Sequence, residues 1–290
     1  VLRSDVGFNI ITQRRDGGFT VHANGREDWF GTLEFRRQRF DDISQKNTAR
    51  VINAIGADVL AIIEVESRPV LDQFNTDRLQ PRYPFNILID CRNDPRGIDV
   101  GAYSRLPIER VRTSIFLEEG GRTVFSRDCL EVELTCPDGR PLHLLINHFK
   151  SKFGGGAAKR EQQARKVAEF LTTRYDLASQ RVIVLGDLND TPDSGPLAPL
   201  LATPDLHDAL ALKRPEDDRW PYVFERAQEQ IDYILVSSPL AAALQDAGCL
   251  REGMAGLAEA TGGARKPFPT VTSWRDAASD HAAVWATFEL

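Results

Sequence analysis

Short runs of apolar residues recur along the chain, and polar residues end each run. In "RVIVLGDLNDTP", residues 181–192, four consecutive apolar positions precede a glycine, two aspartates and an asparagine. A continuous apolar run favours a strand covered on both faces, because a strand with one wet face alternates between apolar and polar residues. Similar runs occur in "ADVLAIIEVES", "FNILID", "IDVGAYS", "LHLLINHF", "IDYILVS" and "HAAVWATFEL". The pattern predicts a sheet-built protein in which the strand ending near Glu64 is central.

Apolar residues at helical spacing predict helices between the strands. The i, i+3, i+4 pattern covers 43–55 and 158–176, and a shorter helix is predicted over 68–79. The glycine-rich segment 253–267 is predicted to be a surface loop. The sequence has neither an internal repeat nor a linker that would separate two cores, so we predict one domain over 1–290.

Composition excludes some classes of protein. The 290 residues carry a formal net charge of −6, and no apolar segment approaches the roughly 20 residues that cross a bilayer. The long-range field repels nucleic acid, so a polyanionic partner needs a local basic strip or a metal ion. Cys91, Cys129, Cys136 and Cys249 lack CxxC spacing, which argues against zinc and leaves two disulfides or scattered thiols open. For a soluble protein of this kind, bacterial cytoplasmic and secreted locations both stay open.

Four carboxylates lie at the ends of the predicted strands: Glu64, Asp187, Asp232 and Asp280. Strand ends line the crevice where layered α/β proteins bind ligands, so we expect one shared pocket. Carboxylates gathered there would repel one another unless a cation compensated them. Oxygen ligands favour Mg²⁺, with Mn²⁺ or Ca²⁺ as alternatives, and Mg²⁺ typically shares its site with substrate phosphate. The pattern therefore indicates phosphoester chemistry.

The same segments carry a family resemblance. "ADVLAIIEVES", "RGIDVGAYSR", "INHFKSK", "VIVLGDLNDTP", "QIDYILVS" and "SDHAAV" follow one another between residues 43 and 290. This ordered series resembles the endonuclease/exonuclease/phosphatase superfamily, the deoxyribonuclease-I-like metal-dependent phosphoesterases, and is most similar to bacterial nuclease-like members. The resemblance implies an α/β (α+β) fold: a four-layer α/β/β/α sandwich of two packed mixed sheets flanked by helices, forming a single catalytic domain.

The resemblance also implies catalytic roles. His281 of "SDH" would be the base that activates water, and Asp232 of "IDY" would orient its imidazole. Asp187 and Asn189 of "GDLN" would place the nucleophile and a phosphate oxygen, Asn189 by hydrogen bonding. His148 of "NHF" would contact the phosphate or assist the leaving group. Together these groups can supply the positioned water and the charge neutralisation that phosphodiester hydrolysis requires.

Metal and substrate contacts are assigned less directly. Glu64 would bind the metal with Asp280 beside it, and Asn9 in "VGFNI" fits the asparagine with which the family's first strand ends. The residues assigned to substrate binding are Asn147, Lys150, Lys152, Arg96 and Asp99. Asp99 stands inside an apolar strand and needs a partner, for which Arg96 and Arg105 are candidates; an ion pair and a substrate contact are both open.

A basic run follows "NH" and consists of Lys150, Lys152, Lys159, Arg160, Arg165 and Lys166. On an acidic chain these cations are candidates for phosphate contacts, although a solvated helix face explains Arg165 and Lys166 equally well. We therefore predict a monomeric Mg²⁺-dependent nuclease acting on DNA or RNA. A phosphatase or phospholipase-like phosphodiesterase acting on a lipid headgroup, inositol phosphate or nucleotide is the alternative. A non-catalytic binding protein of the same fold is the third possibility.

Overall fold

A computed structural model describes residues 2–4, 11–22, 31–33, 42–91, 93–94, 96–152 and 155–290. The chain divides into two compact units, Val1–Asp41 and Asp42–Leu290. Asn9 lies outside the described residues, and the single domain over 1–290 stays a prediction.

Among its described residues, the first unit has two short antiparallel pairs. Strand β1 (Leu2–Ser4) pairs with β4 (Gly31–Leu33), and β2 (Ile11–Gln13) pairs with β3 (Phe19–Val21). The turn between β2 and β3 is closed by Asp16, whose Oδ1 accepts a hydrogen bond from the Gly18 amide at 2.9 Å.

The second unit alternates strands and helices. Its strands are β5 (Val59–Val65), β6 (Phe85–Leu88), β7 (Asp99–Ser104), β8 (Ile108–Arg112), β9 (Glu118–Glu119), β10 (Arg122–Thr123), β11 (Cys129–Thr135), β12 (Pro141–His148), β13 (Arg181–Asp187), β14 (Leu206–Asp208), β15 (Tyr222–Phe224), β16 (Ala227–Glu229), β17 (Asp232–Ser237), β18 (Leu244–Leu250) and β19 (Ala283–Phe288). Its α-helices are α1 (Asp42–Ile55), α2 (Arg68–Arg78), α3 (Ala157–Arg174), α4 (Ala198–Leu201), α5 (Ala209–Lys213), α6 (Ser238–Ala243) and α7 (Leu257–Ala260), with 3₁₀ turns at Gly195–Leu197 and Glu216–Asp218.

Two layers of sheet form the centre of this unit. The large sheet has the order β14-β17-β13-β12-β11-β8, with β12 and β13 parallel and the other neighbours antiparallel. The second layer consists of the antiparallel sheet β5-β7-β6 and the antiparallel pair β18-β19. Apolar side chains from both layers, such as Leu144, Ile146 and Val236 from one and Val100 and Ala102 from the other, share one buried cluster.

Helices cover the outer faces of both layers. Val167 and Leu171 of α3 pack with Val182 and Val184 on the outer face of the large sheet. On the opposite side, α1 and α2 pack on the outer face of β5 and β7, where Leu71 packs in a cluster with the buried Tyr83 and Tyr103. Burying both faces of each sheet removes apolar surface from water at roughly 25 cal/mol per Å², which stabilises the layered arrangement. The predicted α/β/β/α sandwich is confirmed.

Three predictions need comment. The helices begin and end within two residues of the predicted bounds. The strand ending near Glu64 is not central, because among the described residues β5 pairs with β7 alone and lies at the end of its sheet. The segment 253–267 is not a simple surface loop, since it contains α7 and buries Met254 and Leu257.

All four cysteines are free thiols, which decides between the alternatives left open by the sequence. Within the described part of the chain, no helix combines the length and the apolar character needed to cross a membrane.

Candidate active site

Three neighbouring strands place polar side chains at one end of the large sheet. His148 at the end of β12 pairs with Asp187 at the end of β13, and Asp187 pairs with Asp232 at the start of β17. Across this row, His148 Nε2 lies 3.5 Å from Asp187 Oδ2. His281, which precedes β19, completes the group because its Nδ1 lies 2.7 Å from Asp232 Oδ2.

The turn after β13 explains why a buried strand ends in "GDLN". Gly186 has φ +125°, and a Cβ there would stand 2.0 Å from the Asn147 carbonyl oxygen of β12. Asp187 Oδ1 then accepts the Asn189 amide at 2.8 Å, while Asn189 Nδ2 donates to Asp187 Oδ2 at 2.7 Å and to the Phe149 carbonyl at 3.2 Å. Asn189 takes the left-handed φ of +57°, which asparagine tolerates better than most residues.

This turn changes the expected role of Asn189. Both hydrogens of its side-chain amide are used within the protein, by Asp187 and by the Phe149 carbonyl. In this arrangement no N–H of that amide is left for a phosphate oxygen, so Asn189 fixes the Asp187 carboxylate. The phosphate hydrogen bond expected from the sequence is not available without rearrangement.

His281 carries a strongly perturbed imidazole. Burial of the ring acts to lower its pKa, but the Asp232 carboxylate, together with Asp187 and Asp280, raises the pKa to about 10. The ring of Tyr222 lies against the imidazole with a centroid distance of 4.6 Å. In the metal-free site His281 is therefore a cation held between carboxylates and covered by an aromatic ring.

The other two titratable groups of the row are shifted as well. Burial and the neighbouring Asp232 raise the pKa of Asp187 to about 7, against the opposing effect of His281. Burial lowers the pKa of His148 well below its usual value, and the positive charges of Arg127 and Arg96 act in the same direction. His148 is thus neutral at neutral pH, which suits a residue that donates or accepts a hydrogen bond without adding charge.

Glu64 stands at the end of β5 in an unusual backbone conformation. The pairing of β5 with β7 shifts register there, and Glu64 has φ +63°, a rare value for a residue other than glycine. Its carboxylate is 56% exposed and lies 3.9 Å from Arg96 Nη1. Arg96 also pairs with Asp94 at 3.0 Å, and Asp94 pairs with Arg127 at 3.3 Å. Arg127 in turn donates to the Phe149 carbonyl, which links Glu64 to the turn that holds Asp187.

Most of the chain matches the sequence model of one protein family. The sequence model of the endonuclease/exonuclease/phosphatase family matches residues 29–281, which contain every strand end described above. The chain belongs to this family. Enzymes of the family hydrolyse phosphoester bonds and generally use divalent metal ions. No curated protein matches the chain in sequence.

Solved structures of family members share the fold at low sequence identity. A humanized D. rerio TDP2 is 15% identical with a TM-score of 0.62, over 86% of this chain and 94% of that one. An endonuclease/exonuclease/phosphatase family protein from Leptotrichia buccalis is 15% identical with a TM-score of 0.58, over 85% and 93%. A beta toxin from Staphylococcus aureus is 16% identical with a TM-score of 0.58, over 85% and 93%.

The four carboxylates predicted to converge on one cation do not form a ready-made cage. The described residues contain no group of three or more His, Cys, Asp or Glu side chains arranged to hold a metal ion. Arg96, Arg127 and the His281 cation offset the negative charge instead. The donor set still fits the family's metal, because the half-exposed Glu64 carboxylate is a hard ligand and Mg²⁺ commonly takes one or two carboxylates with water and phosphate. The metal roles of Glu64 and Asp280 stay predictions.

Two predicted substrate contacts are buried. Asn147 is fully buried, and its amide donates to the Leu145 carbonyl at 3.0 Å, so it does not face a substrate. Asp99 is also buried, and its Oδ1 accepts the Cys91 amide at 3.0 Å. Of the two alternatives left open for Asp99, the ion pair is not formed, because Arg96 pairs with Asp94 and Glu64, and Arg105 with Asp58. Burial and nearby carboxylates raise the pKa of Asp99 to about 6.

The basic run after His148 is largely neutralised. Lys152 pairs with Glu229 at 2.8 Å, and Arg160 forms a buried pair with Asp190 at 2.8 Å. Lys159, Arg165 and Lys166 are held by the Thr123 carbonyl, Glu119 and Glu169. These five cations have partners within the protein, which favours the structural alternative for Arg165 and Lys166 and leaves the phosphate contacts of the others as predictions. Lys150 forms no ion pair with the described residues, and its substrate contact stays a prediction.

Three contributors were not predicted from the sequence: Arg127, Asp94 and Tyr222. Arg127 is 1% exposed, and nothing in "FSRDCL" distinguishes a buried arginine from an exposed one. Asp94 lies in a connecting segment where aspartates commonly serve turns. Tyr222 lies ten residues before Asp232 of "IDY", and the short hairpin that it begins lies against His281.

Proposed function

We propose that this phosphoester hydrolase is a Mg²⁺-dependent nuclease that cleaves phosphodiester bonds of DNA or RNA. The observation that carries the proposal is the His281–Asp232 pair standing beside the Asp187–Asn189 turn and His148. Such a pair fixes the imidazole tautomer, and the adjacent buried carboxylate can orient a water molecule.

Each residue of the site has a separate role in the proposed hydrolysis. Asp232 accepts a hydrogen bond from His281 Nδ1, which leaves Nε2 to take the proton from the attacking water once the imidazole is neutral. Asp187, held by Asn189, positions that water. Neutral His148 donates a hydrogen bond to the phosphate or to the departing oxygen. Glu64 and Asp280 would hold Mg²⁺, with Mn²⁺ or Ca²⁺ as alternatives. When bound, the cation neutralises charge on the phosphate oxygens and the leaving alkoxide.

Two observations support a nucleic acid as substrate. A D. rerio TDP2 structure complexed with a single-strand DNA product has the same fold, with a TM-score of 0.61 over 86% of this chain. Lys150 lies two residues after His148 and forms no ion pair with the described residues, which suits its ammonium to a phosphate contact.

A small phosphoester is the second candidate. The neutralised basic run and the net charge of −6 favour a substrate that needs no long basic groove. A lipid headgroup, inositol phosphate or nucleotide fits this description. A non-catalytic binding protein is disfavoured, because the imidazoles and carboxylates are arranged as a hydrolytic group.

Plasmid cleavage separates these candidates. Purified protein is incubated with supercoiled plasmid and, separately, with small phosphomonoesters, each with Mg²⁺ and with a chelator. The nuclease predicts Mg²⁺-dependent nicking or linearisation that the chelator abolishes. Release of inorganic phosphate without nicking would show a phosphatase, and inactivity on every substrate with each divalent metal would favour the binding protein.

A further inference from the structure

A β-hairpin projects beside His281. It consists of β15 and β16, joined by a two-residue turn at Glu225 and Arg226, with Phe224 paired to Ala227 at its tip. Both turn residues have positive φ, +46° and +74°, as in the tight hairpin turns that match strand twist. The hairpin is therefore short and conformationally restricted.

The base of this hairpin is fixed to the candidate active site. The residue before it, Pro221, accepts the amide of Ala282 at 2.7 Å, and Tyr222 forms an isolated β-bridge with His281. On the other strand, Glu229 pairs with Lys152 at 2.8 Å. Both strands are thus held by segments that carry His281 or directly follow His148.

Phe224 extends the face that covers His281. Residues two apart in a strand point to the same side, so Phe224 lies on the Tyr222 face, about 6.6 Å further along. The Phe224 ring is accessible to solvent: it is 54% exposed, and the residue opposite it on β16 is the small Ala227. The hairpin therefore presents the exposed Phe224 ring two residues beyond Tyr222, whose own ring packs on the His281 imidazole.

We propose that Phe224 stacks on a nucleobase that flanks the phosphodiester bound at His281. This inference rests on the nuclease proposed above. Glu225 and Arg226 carry opposite charges at the tip of the hairpin, so the tip has no net electrostatic attraction to phosphate. The exposed Phe224 ring is the group at the tip that can bind a ligand by stacking. The same two charges oppose burial of the tip in lipid hydrocarbon, which favours a base over a membrane. Aromatic stacking accepts any base, so it positions nucleic acid without reading sequence.

Kinetics on two substrates test the stacking. The kcat/KM of wild type, Phe224→Ala and Phe224→Trp is measured on a single-stranded oligodeoxynucleotide and on an abasic deoxyribose-phosphate strand of the same length, which has no aromatic ring. Phe85→Ala is the matched control, because Phe85 is 38% exposed and pairs with Ser104, at the end of β7 remote from Asp99 and Glu64. We expect Phe224→Ala to lower oligonucleotide kcat/KM by about 5- to 150-fold, with Phe224→Trp close to wild type.

Each outcome decides the inference. Loss confined to the oligonucleotide, restored by tryptophan and absent in Phe85→Ala, supports stacking. Equal losses on both substrates, or no loss on the oligonucleotide, overturn it while leaving the nuclease intact. If Phe224→Ala instead weakens binding to phosphatidylcholine vesicles and leaves oligonucleotide cleavage unchanged, lipid is the occupant and the inference is wrong. Failure of the wild type to cleave the oligonucleotide while it nicks plasmid overturns the stacking alone, and failure on both refutes the nuclease and the stacking with it.

Discussion

Replacing Asp187 by asparagine should stabilise the fold while abolishing activity. The folded protein raises the pKa of Asp187 from 3.8 to about 7, so ionising this carboxyl costs folding free energy of up to ~4 kcal/mol at 1.36 kcal/mol per unit. Asparagine removes the charge but offers one acceptor where Asn189 donates two hydrogen bonds, a loss of about 1–2 kcal/mol. The net gain is on the order of 2 kcal/mol, or roughly 4–8 °C in Tm.

The pH dependence gives the prediction its sign. Below pH 3.8 the carboxyl of Asp187 is protonated in both the folded and unfolded states, so no cost exists there. The cost grows as pH rises from 3.8 to about 7 and is complete above that value. The stabilisation by Asp187→Asn should therefore be present at pH 8 and small at pH 4.

Thermal unfolding followed by circular dichroism, with a chelator present, measures this effect. Asp276→Asn is the control of opposite sign, because hydrogen bonds from Thr272 and Ser273 lower the pKa of Asp276. That variant should lose stability at pH 8. A Tm for Asp187→Asn that is equal to or below wild type at pH 8 would refute the argument that the site stores electrostatic strain at this carboxylate.

Three further predictions concern other parts of the account. Arg160→Met should cost about 3–5 kcal/mol in urea unfolding, because it leaves the buried Asp190 carboxylate unpaired; a cost below 1 kcal/mol would contradict this. Gly186→Ala should destabilise by roughly 3 kcal/mol or more, whereas Gly195→Ala, with open space around it, should be nearly neutral; equal effects would argue against the close strand approach. The rate should rise with pH as His281 loses its proton, and removing its carboxylate partner should shift this limb to lower pH; an unmoved limb would assign it to another group.

The layers of the fold and the position of the site were accessible from the sequence. Apolar runs gave the strands, and polar residues at their ends converge as expected at His148, Asp187 and Asp232. The central position of β5 was wrong for a physical reason. Its side chains alternate between the inter-sheet cluster and the cluster beneath α1 and α2, so both faces are covered although one edge is unpaired among the described residues. A continuous apolar run indicates that both faces of a strand are covered, but it does not indicate how many strands pair with its edges.

The charge arrangement was not accessible. Arg127 meets Asp94 across 33 positions of sequence, and Lys152 meets Glu229 across 77. Which cations pair depends on the packing of loops whose sequence carries no periodic signal. The sequence therefore could not show which cations of the basic run are paired within the protein, and the buried Arg127 was overlooked. The left-handed backbone of Glu64 was equally hidden, since glutamate gives no indication of positive φ.

The account depends most directly on His281 and Asp232 acting as one unit in phosphodiester hydrolysis. Initial rates of Mg²⁺-dependent plasmid cleavage should be compared for wild type, His281→Ala, Asp232→Asn and the double variant, with folding confirmed by circular dichroism. We expect His281→Ala to lose roughly 10²–10⁴-fold in rate, and the double variant to be no slower than His281→Ala, because the two groups share one function. A His281→Ala enzyme within tenfold of wild type, or losses that multiply in the double variant, would contradict the account.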